Sequence, residues 1–373
     1  MGEIFYPEML PRNDIDWARH VSGIGKSNAA LARYDGILQG IVHPEVLFSP
    51  LMTEEAIISS RIEGTVTTIE EILAPEGYPK KELSESKQAD IEEVKNYRDA
   101  VQMAMSELKT KPRYMPMIKS LHKILLDGVR GKNKEPGEVR SWQNWIGSSG
   151  CSMKEATYVP PPPVLVWGYL NNWEQYMDSE EKDSIVQIAI LKGQFELIHP
   201  FSDGNGRIGR MLIPLLMYNK HLISSPMFSI SGFFDQNREE YYRRLLALSE
   251  DNDWDGWIDF FLRGVECQAN ENTNKAKKII ALYSAKKIIA LYSAMKISVP
   301  EILKSKYSVQ VIDALFIRPI FTIQDFVTHS GIPYDSGQKI IGTLKKNSVI
   351  SVRKEGRGRN PSVYEFSDLL SVI

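Results

Sequence analysis

The sequence predicts a mainly α fold that ends in a winged helix-turn-helix domain, on three observations. Apolar residues recur at helical spacing through most of the chain. Two-residue alternation is confined to residues 348–366. A lone glycine, Gly331, separates two short helical patterns just before that alternation. At 373 residues the chain exceeds one ordinary core, so two or three domains are expected.

The bulk composition excludes several classes. The chain carries 45 Lys and Arg against 47 Asp and Glu, a formal charge of -2. That balance argues against a basic nucleic-acid coat or an acidic tail protein, so any nucleic-acid contact must be local. The two cysteines, Cys151 and Cys267, have no metal-ligand spacing and build no disulfide framework. A reducing compartment follows. No long apolar run and no secretory leader are present, so the expected location is cytoplasmic, with no membrane partner.

The elements follow in order. Residues 14–42 read as a helix broken near His43-Pro44. A second helix is expected over 53–64, with Thr53 as N-cap, Glu54 and Glu55 in its first turn, and Gly64 ending it. Residues 84–108 form a long charged amphipathic helix, and Lys111-Pro112 marks a boundary. Met117, Ile118, Leu121, Ile124 and Leu125 place a helix over 115–128. Residues 130–163, rich in Gly, Ser and Pro, read as a loop or hairpin. Helices resume at 164–178, 182–198, 206–220, 238–249 and 254–270.

Ala276–Ser284 is then repeated without change as 285–293. Nine residues make about 2.5 helical turns, so the second copy faces away from the first. A lengthened helical connector over 267–300 is the expected outcome, since one duplication is no solenoid. In the last segment, 321–330 and 334–347 pair as helices around Gly331, and 348–353 and 362–366 alternate as strands. Lys354 to Pro361 forms a basic tip between them.

One segment concentrates chemistry: His199-Pro-Phe-Ser-Asp-Gly-Asn-Gly-Arg-Ile-Gly-Arg210. His199 precedes Pro200 and is disfavoured as a helical residue. Gly204 and Gly206 free the backbone to aim several N–H groups into one concavity at the start of the 206–220 helix. Unpaired donors and the helix dipole favour an anion there. Arg207 and Arg210 lie three apart on that helix and can grip phosphate by paired hydrogen bonds. Asp203 offers one hard oxygen ligand, which suits Mg²⁺ shared with phosphate oxygens. A histidine at the lip can act as a general base near neutral pH. The set fits phosphoryl or nucleotidyl transfer. A calcium loop starting at Asp203 fails, because Arg207 and Ile208 fall where an oxygen ligand and a glycine are needed.

These twelve residues resemble the Fic-family signature at every signature position, and the likeness extends over roughly residues 40–265. The resemblance implies a Fic helical core with a short β-hairpin flap. It implies a protein adenylyltransferase that moves AMP from ATP, with Mg²⁺ as cofactor, onto a Ser, Thr or Tyr hydroxyl of a protein target. His199 would deprotonate the hydroxyl and Asp203 would hold Mg²⁺. Gly204, Asn205 and Gly206 would cradle the phosphates, and Arg207 and Arg210 would bind the β- and γ-phosphates. Residues 137–163, with Arg140, Trp142 and Trp145, are similar to the family's flap, which aligns a target by strand addition. Residues 234–242 resemble the segment near the adenine, with Asn237 as the candidate nucleotide contact. Ser59-Ser-Arg-Ile-Glu63-Gly64 resembles the family's inhibitory motif, in which Glu63 would pair with Arg210 and obstruct the γ-phosphate.

The expected organisation is an N-terminal helical region over 1–110, a catalytic core over 111–266, the connector over 267–300 and the winged-helix domain over 301–373. Alternatives at the same site are removal of AMP or transfer of another phosphate-containing group. An alternative of another class is a DNA-binding regulator with a nucleotide-sensing core, since Lys345, Lys346, Arg353, Lys354, Arg357 and Arg359 give the last domain a basic wing. A homodimer is expected from family behaviour. The remaining histidines, His20, His43, His122, His221 and His329, read as surface or internally satisfied residues, and Trp142, Trp145, Trp254 and Trp257 as packing residues.

Overall fold

The computed structural model describes residues 2–39, 44–73, 84–108, 114–128, 134–148, 150–284, 286–357 and 360–370. Its helices, in order, are α1 (Trp17–Gln39), α2 (Pro44–Ile62), α3 (Ile69–Leu73), α4 (Glu85–Leu108), α5 (Tyr114–Leu125), α6 (Pro163–Asp178), α7 (Ser184–Ile198), α8 (Asn205–Asn219), α9 (Ser231–Gln236), α10 (Arg238–Glu250), α11 (Trp254–Ser284), α12 (Lys286–Leu303) and α13 (Ser308–Ile317). There follow β1 (Ile320–Thr322), α14 (Ile323–Ser330), α15 (Tyr334–Lys346), β2 (Ser351–Lys354), β3 (Val363–Glu365) and α16 (Ser367–Leu370). The chain is mainly helical, with one small sheet. Its contacts divide it into a unit of Met1–Thr67 with Ala89–Asn274 and a unit of Thr68–Gln88 with Lys275–Ile373.

The first unit is built around α7. Almost every residue of this helix is buried, from Ile185 to Ile198. A helix apolar on all sides belongs at the centre of a core. It packs against α8, α6, α10 and α1. Two tryptophans seal it: Trp173 and Trp257 are buried and donate their indole N–H groups to the carbonyls of Leu191 and Ala189, each at 2.8 Å. Each thus buries a large ring without stranding its polar nitrogen. Gly193 keeps α7 smooth where Trp254, Leu248 and Trp257 approach, since a methyl there would meet all three within 3.1 Å.

Three expectations need correction here. Helix α2 begins at Pro44, nine residues before Thr53. Proline is preorganised for the first helical turn, while Thr53 is 1% exposed inside the helix, so packing overrides its capping preference. The expected hairpin over 137–163 is reduced to one antiparallel bridge, Ile146 to Tyr158, while Ile4 forms a parallel bridge to Val159. The four prolines at 160–163 lack N–H donors and cannot extend a ladder. Trp142 and Trp145 are 43% and 41% exposed, unlike Trp254 and Trp257. Helix α9 was not signalled, because six residues carry less than two turns of periodicity.

In the second unit, α14 and α15 meet at Gly331, whose φ of +66° suits glycine. Thr322 caps α14 in a reciprocal pair with Asp325. The antiparallel sheet has the order β1-β3-β2, with Tyr364 facing both Phe321 and Val352. Phe321, Phe326, Ile340, Leu344 and Phe366 join Val299, Val311 and Leu315 in its core. The sequence reading placed Phe321 in the helix; it lies in β1, a strand too short to alternate visibly. Arg357 is bridged to Asn360, and Arg359 lies outside the described residues. In the duplication, residue 285 and the side chains of 279–290 lie outside them too.

Candidate active site

The loop between α7 and α8 carries residues 199–204 and is held from three directions. Phe201 is fully buried and stacks on His122 of α5, the ring centroids 3.9 Å apart and 11° from parallel. The N–H of Gly137 donates to His122 Nδ1 at 2.8 Å, and a backbone N–H can only donate. The ring's proton is therefore on Nε2, which donates to the carbonyl of Asp203 at 3.0 Å. Burial pushes the pKa of His122 down to about 4, so it is a neutral strut at physiological pH.

Arg140 is the second support. Its side chain is buried and donates to the carbonyls of His199 at 2.8 Å, Ile198 at 3.3 Å and Pro161 at 2.5 Å. Those of Ile198 and His199 are carbonyls that the end of α7 leaves without helical partners. Burial lowers the guanidinium to about 10, which still leaves it charged. Asn205 completes the loop from within: its amide accepts from the N–H of Phe201 and donates to the carbonyl of Phe201, both at 2.8 Å. Asn205 thus shapes the loop, and its side chain is already occupied by that task.

His199 terminates α7 in the left-handed conformation, with φ 47° and ψ 61°. A histidine there costs about 1 kcal/mol or more relative to a right-handed residue. Burial removes the imidazole from water and lowers its pKa below the ordinary value, against an opposing pull from Glu196. A neutral imidazole is what a proton acceptor needs.

Helix α8 starts without a side-chain cap. Its N-cap is Gly204, at φ 76°, and the first intrahelical bond runs from the N–H of Ile208 to the carbonyl of Gly204 at 3.0 Å. The preceding amides, of 205–207, therefore face outward at the positive end of the helix dipole. Glu63 reaches over that end. Its carboxylate approaches Gly206 so closely that a methyl on residue 206 would collide with it. The same carboxylate accepts from Arg210 Nη2 at 2.7 Å. Ser59 holds the rest of that guanidinium, accepting from Nε on its hydroxyl at 2.9 Å and from Nη2 on its carbonyl at 2.8 Å. Burial alone would raise the Glu63 carboxyl, but Arg210, then Arg207 and Lys192, outweigh it and hold its pKa below the usual carboxylate value. Arg210 is 1% exposed, and Glu63 together with Tyr241 and Tyr97 outweighs the cost of its burial, so it stays charged. Helix α2 itself ends at Ile62, so Glu63 is the first residue beyond it.

Arg207 is held more loosely. Its Nη2 lies 3.5 Å from Asp203 and its Nη1 3.4 Å from Glu93 of α4. Nε and Nη1 are buried without hydrogen-bond partners. A nearly buried guanidinium with spare donors is suited to an anionic ligand. Asp203 is the more open carboxylate, its side chain 42% exposed. Among the described residues no group of three His, Cys, Asp or Glu side chains could hold a metal by itself. Asp203, with Arg207 3.5 Å away, could give a metal ion a single oxygen ligand.

Among the sequence candidates, the structure brings Glu63, Ser59, Gly206 and Arg210 together, and sets Asp203 beside Arg207. Asn237 joins α9 to α10 and donates to the carbonyl of Phe233 at 2.9 Å. Its neighbours take a part that sequence reasoning missed. Arg238 Nη2 and the Tyr242 hydroxyl both donate to the carbonyl of Ile62, at 2.6 and 3.2 Å, against the residue that precedes Glu63. Arg140, His122 and Glu93 were also missed as supports. No local pattern distinguishes a buried polar strut from a surface polar residue, and their partners lie far off in sequence.

Comparison with known proteins bears on this geometry. Residues 21–106 match the family model described as Fic/DOC family N-terminal, and residues 115–217 match that of the Fic/DOC family. This chain belongs to the Fic/DOC family. It is 27% identical over 235 residues to the protein adenylyltransferase Fic of Drosophila grimshawi, covering 62% of this chain and 42% of that protein. A probable protein adenylyltransferase of Aquifex aeolicus is 32% identical over 96 residues, 26% of this chain and 28% of the relative. The chain thus spans less than half the length of these curated relatives. Among solved structures, a Fic family protein from Desulfovibrio desulfuricans superposes with a TM-score of 0.55 at 17% identity, covering 97% of this chain and 98% of its own. Fic-1 of C. elegans (residues 134–508) gives 0.50 at 17% identity, covering 70% of this chain and 73% of that one. The likeness to these structures is one of fold.

Among the described residues no helix is long and apolar enough to cross a membrane.

Proposed function

We propose that this chain transfers AMP from ATP to a Ser, Thr or Tyr hydroxyl of a protein target, and that Glu63 restrains it. The observation that carries the reading is the carboxylate of Glu63 seated over Gly206 and paired with Arg210, an anion in the place where a phosphate would bind. The names of the curated relatives support the choice of adenylyl transfer.

The residues divide the work. The amides at the start of α8 and the guanidinium of Arg207 receive phosphate oxygens, and Arg210 does so once Glu63 withdraws. Asp203 would hold Mg²⁺, which supplies charge neutralisation on the polyphosphate. The neutral His199 takes the proton of the target hydroxyl. The hydroxyl oxygen bonds to the α-phosphorus, the bond to the bridging oxygen breaks, and pyrophosphate leaves. Positioning and charge complementarity supply most of the rate. In the second unit we read α13 to α15 with the three-stranded sheet as a winged helix, and its Lys345, Lys346, Arg353 and Lys354 as a surface for an acidic partner, DNA included.

Intact-mass analysis of Glu63→Gly with ATP and Mg²⁺ tests the reading. A hydrogen bond between charged groups contributes roughly 1.5–3 kcal/mol. The side chain of Glu63 is 37% exposed, so the lower end applies. AMP transfer, read as self-modification or labelling of a protein mixture, should rise about tenfold. Binding of ATP with no covalent product in Glu63→Gly would replace the transferase by a nucleotide sensor.

A further inference from the structure

Glu63 lies beyond the last turn of α2, tied to it by the bond from its N–H to the carbonyl of Ser60 at 3.0 Å, and the turn that follows needs further support. Two groups of contacts hold the chain on either side. Upstream, Arg238 and Tyr242 of α10 hold the carbonyl of Ile62. Downstream, two carboxylates of α4 hold the next residues. The hydroxyl of Thr65 donates to Glu93 Oε2 at 2.6 Å, and the N–H of Val66 donates to Asp90 Oδ2 at 3.1 Å. Asp90 and Glu93 are three apart and share one face of α4. Thr65 and Glu93 are 3% and 8% exposed, so the bond between them is shielded from competing water. Thr65 also donates its N–H to the carbonyl of Ser60 at 3.1 Å, which folds the turn back onto α2.

Glu93 has a second task. The oxygen that accepts from Thr65 is the one that lies 3.4 Å from Arg207 Nη1. A single carboxylate oxygen therefore touches both the turn that carries Glu63 and one of the two site arginines.

We infer that Asp90 and Glu93 are positioning residues for Glu63: through Val66 and Thr65 they fix the turn that presents its carboxylate to Arg210. The inference rests on the reading of Glu63 as a restraint on nucleotide binding. It makes α4, which supplies none of the sequence-predicted site residues, part of that restraint. It also makes the hold sensitive to what Arg207 binds, because phosphate and Thr65 then share the surroundings of one oxygen.

The test is Thr65→Val, which keeps size and branching but removes the hydroxyl, with Thr65→Ser as the variant that keeps it. In the full chain with Glu63 present, Thr65→Val should raise AMP transfer and tighten ATP binding by calorimetry, each about three- to fivefold, while Thr65→Ser stays at the wild-type level. In the Glu63→Gly background, Thr65→Val should change neither. No rise with Glu63 present, an equal rise without it, or a rise in Thr65→Ser would each overturn the inference. Absence of transfer in every variant would remove the adenylyltransferase reading, yet the calorimetric comparison would still decide the tether. A melting curve checks folding, and Asp90→Ala, which takes the acceptor from the Val66 N–H, gives an independent second measurement of the same dependence on Glu63.

Discussion

Helices α7 and α8 are neighbours in one core, yet they begin in opposite ways. Asp183 caps α7 from the adjacent position, its carboxylate accepting from the N–H groups of Ile185 and Val186 at 2.9 Å each. Gly204 offers α8 no side chain, and the carboxylate over that end comes from Glu63, which bonds Arg210 across 147 residues of sequence. Both helix starts meet an anion, as unpaired donors and the dipole require. The difference lies in tenure. A cap from the next residue cannot leave without unwinding the chain, so it is structural. A carboxylate that only reaches over from a distant turn can be exchanged for another anion, which suits that helix start to binding.

The sharpest way to break the comparison is to leave the α8 start open and remove the proposed base. In the Glu63→Gly background, His199→Ala should lower AMP transfer by about 10²- to 10⁴-fold while ATP still binds, measured by labelled-AMP incorporation and calorimetry. Loss of ATP binding would show that the histidine shapes the pocket and does not serve the chemistry. A smaller effect is expected at the other helix. Asp183→Ala should destabilise the fold by about 1 kcal/mol in denaturant unfolding, with transfer per folded molecule unchanged. An equal loss of transfer would mean that α7's cap also serves the site.

The smallest effect concerns pH. Burial lowers the pKa of His199 from 6.5, and Glu63 is one of the charges that oppose this. A base works in its neutral form, so transfer is retained as pH falls until the lowered pKa is reached. In Glu63→Gly, transfer should therefore change by less than about twofold between pH 8 and 6.5 and decline only below that range. A midpoint above 6.5 would point to another base.

The reach of the sequence follows the same division between local and distant causes. The helix over 84–108 and the pair around Gly331 were legible, because periodicity and a glycine stop are local signals. The loop at 199–204 and the glycine-led start of the helix after it were legible because adjacent residues carry both signals. The true start of α2 was not, because buried packing of Thr53 outweighed its capping preference. Nor were Arg140, His122 and Glu93. What makes Arg140 a support is the set of carbonyls at Pro161, Ile198 and His199 that it gathers, and only the folded chain brings these together. Asn237 was offered by family resemblance alone, and its amide bond to the carbonyl of Phe233 was not legible either.

The left-handed turn at residue 199 has a wider meaning. Glycine would adopt those angles at little cost, whereas histidine must be forced into them by its surroundings. A chain selected for thermal endurance alone would carry glycine there. On the function proposed above, the histidine trades durability for reactivity, and a directed search for heat-resistant variants, left unsupervised by an activity screen, should discard it among the first.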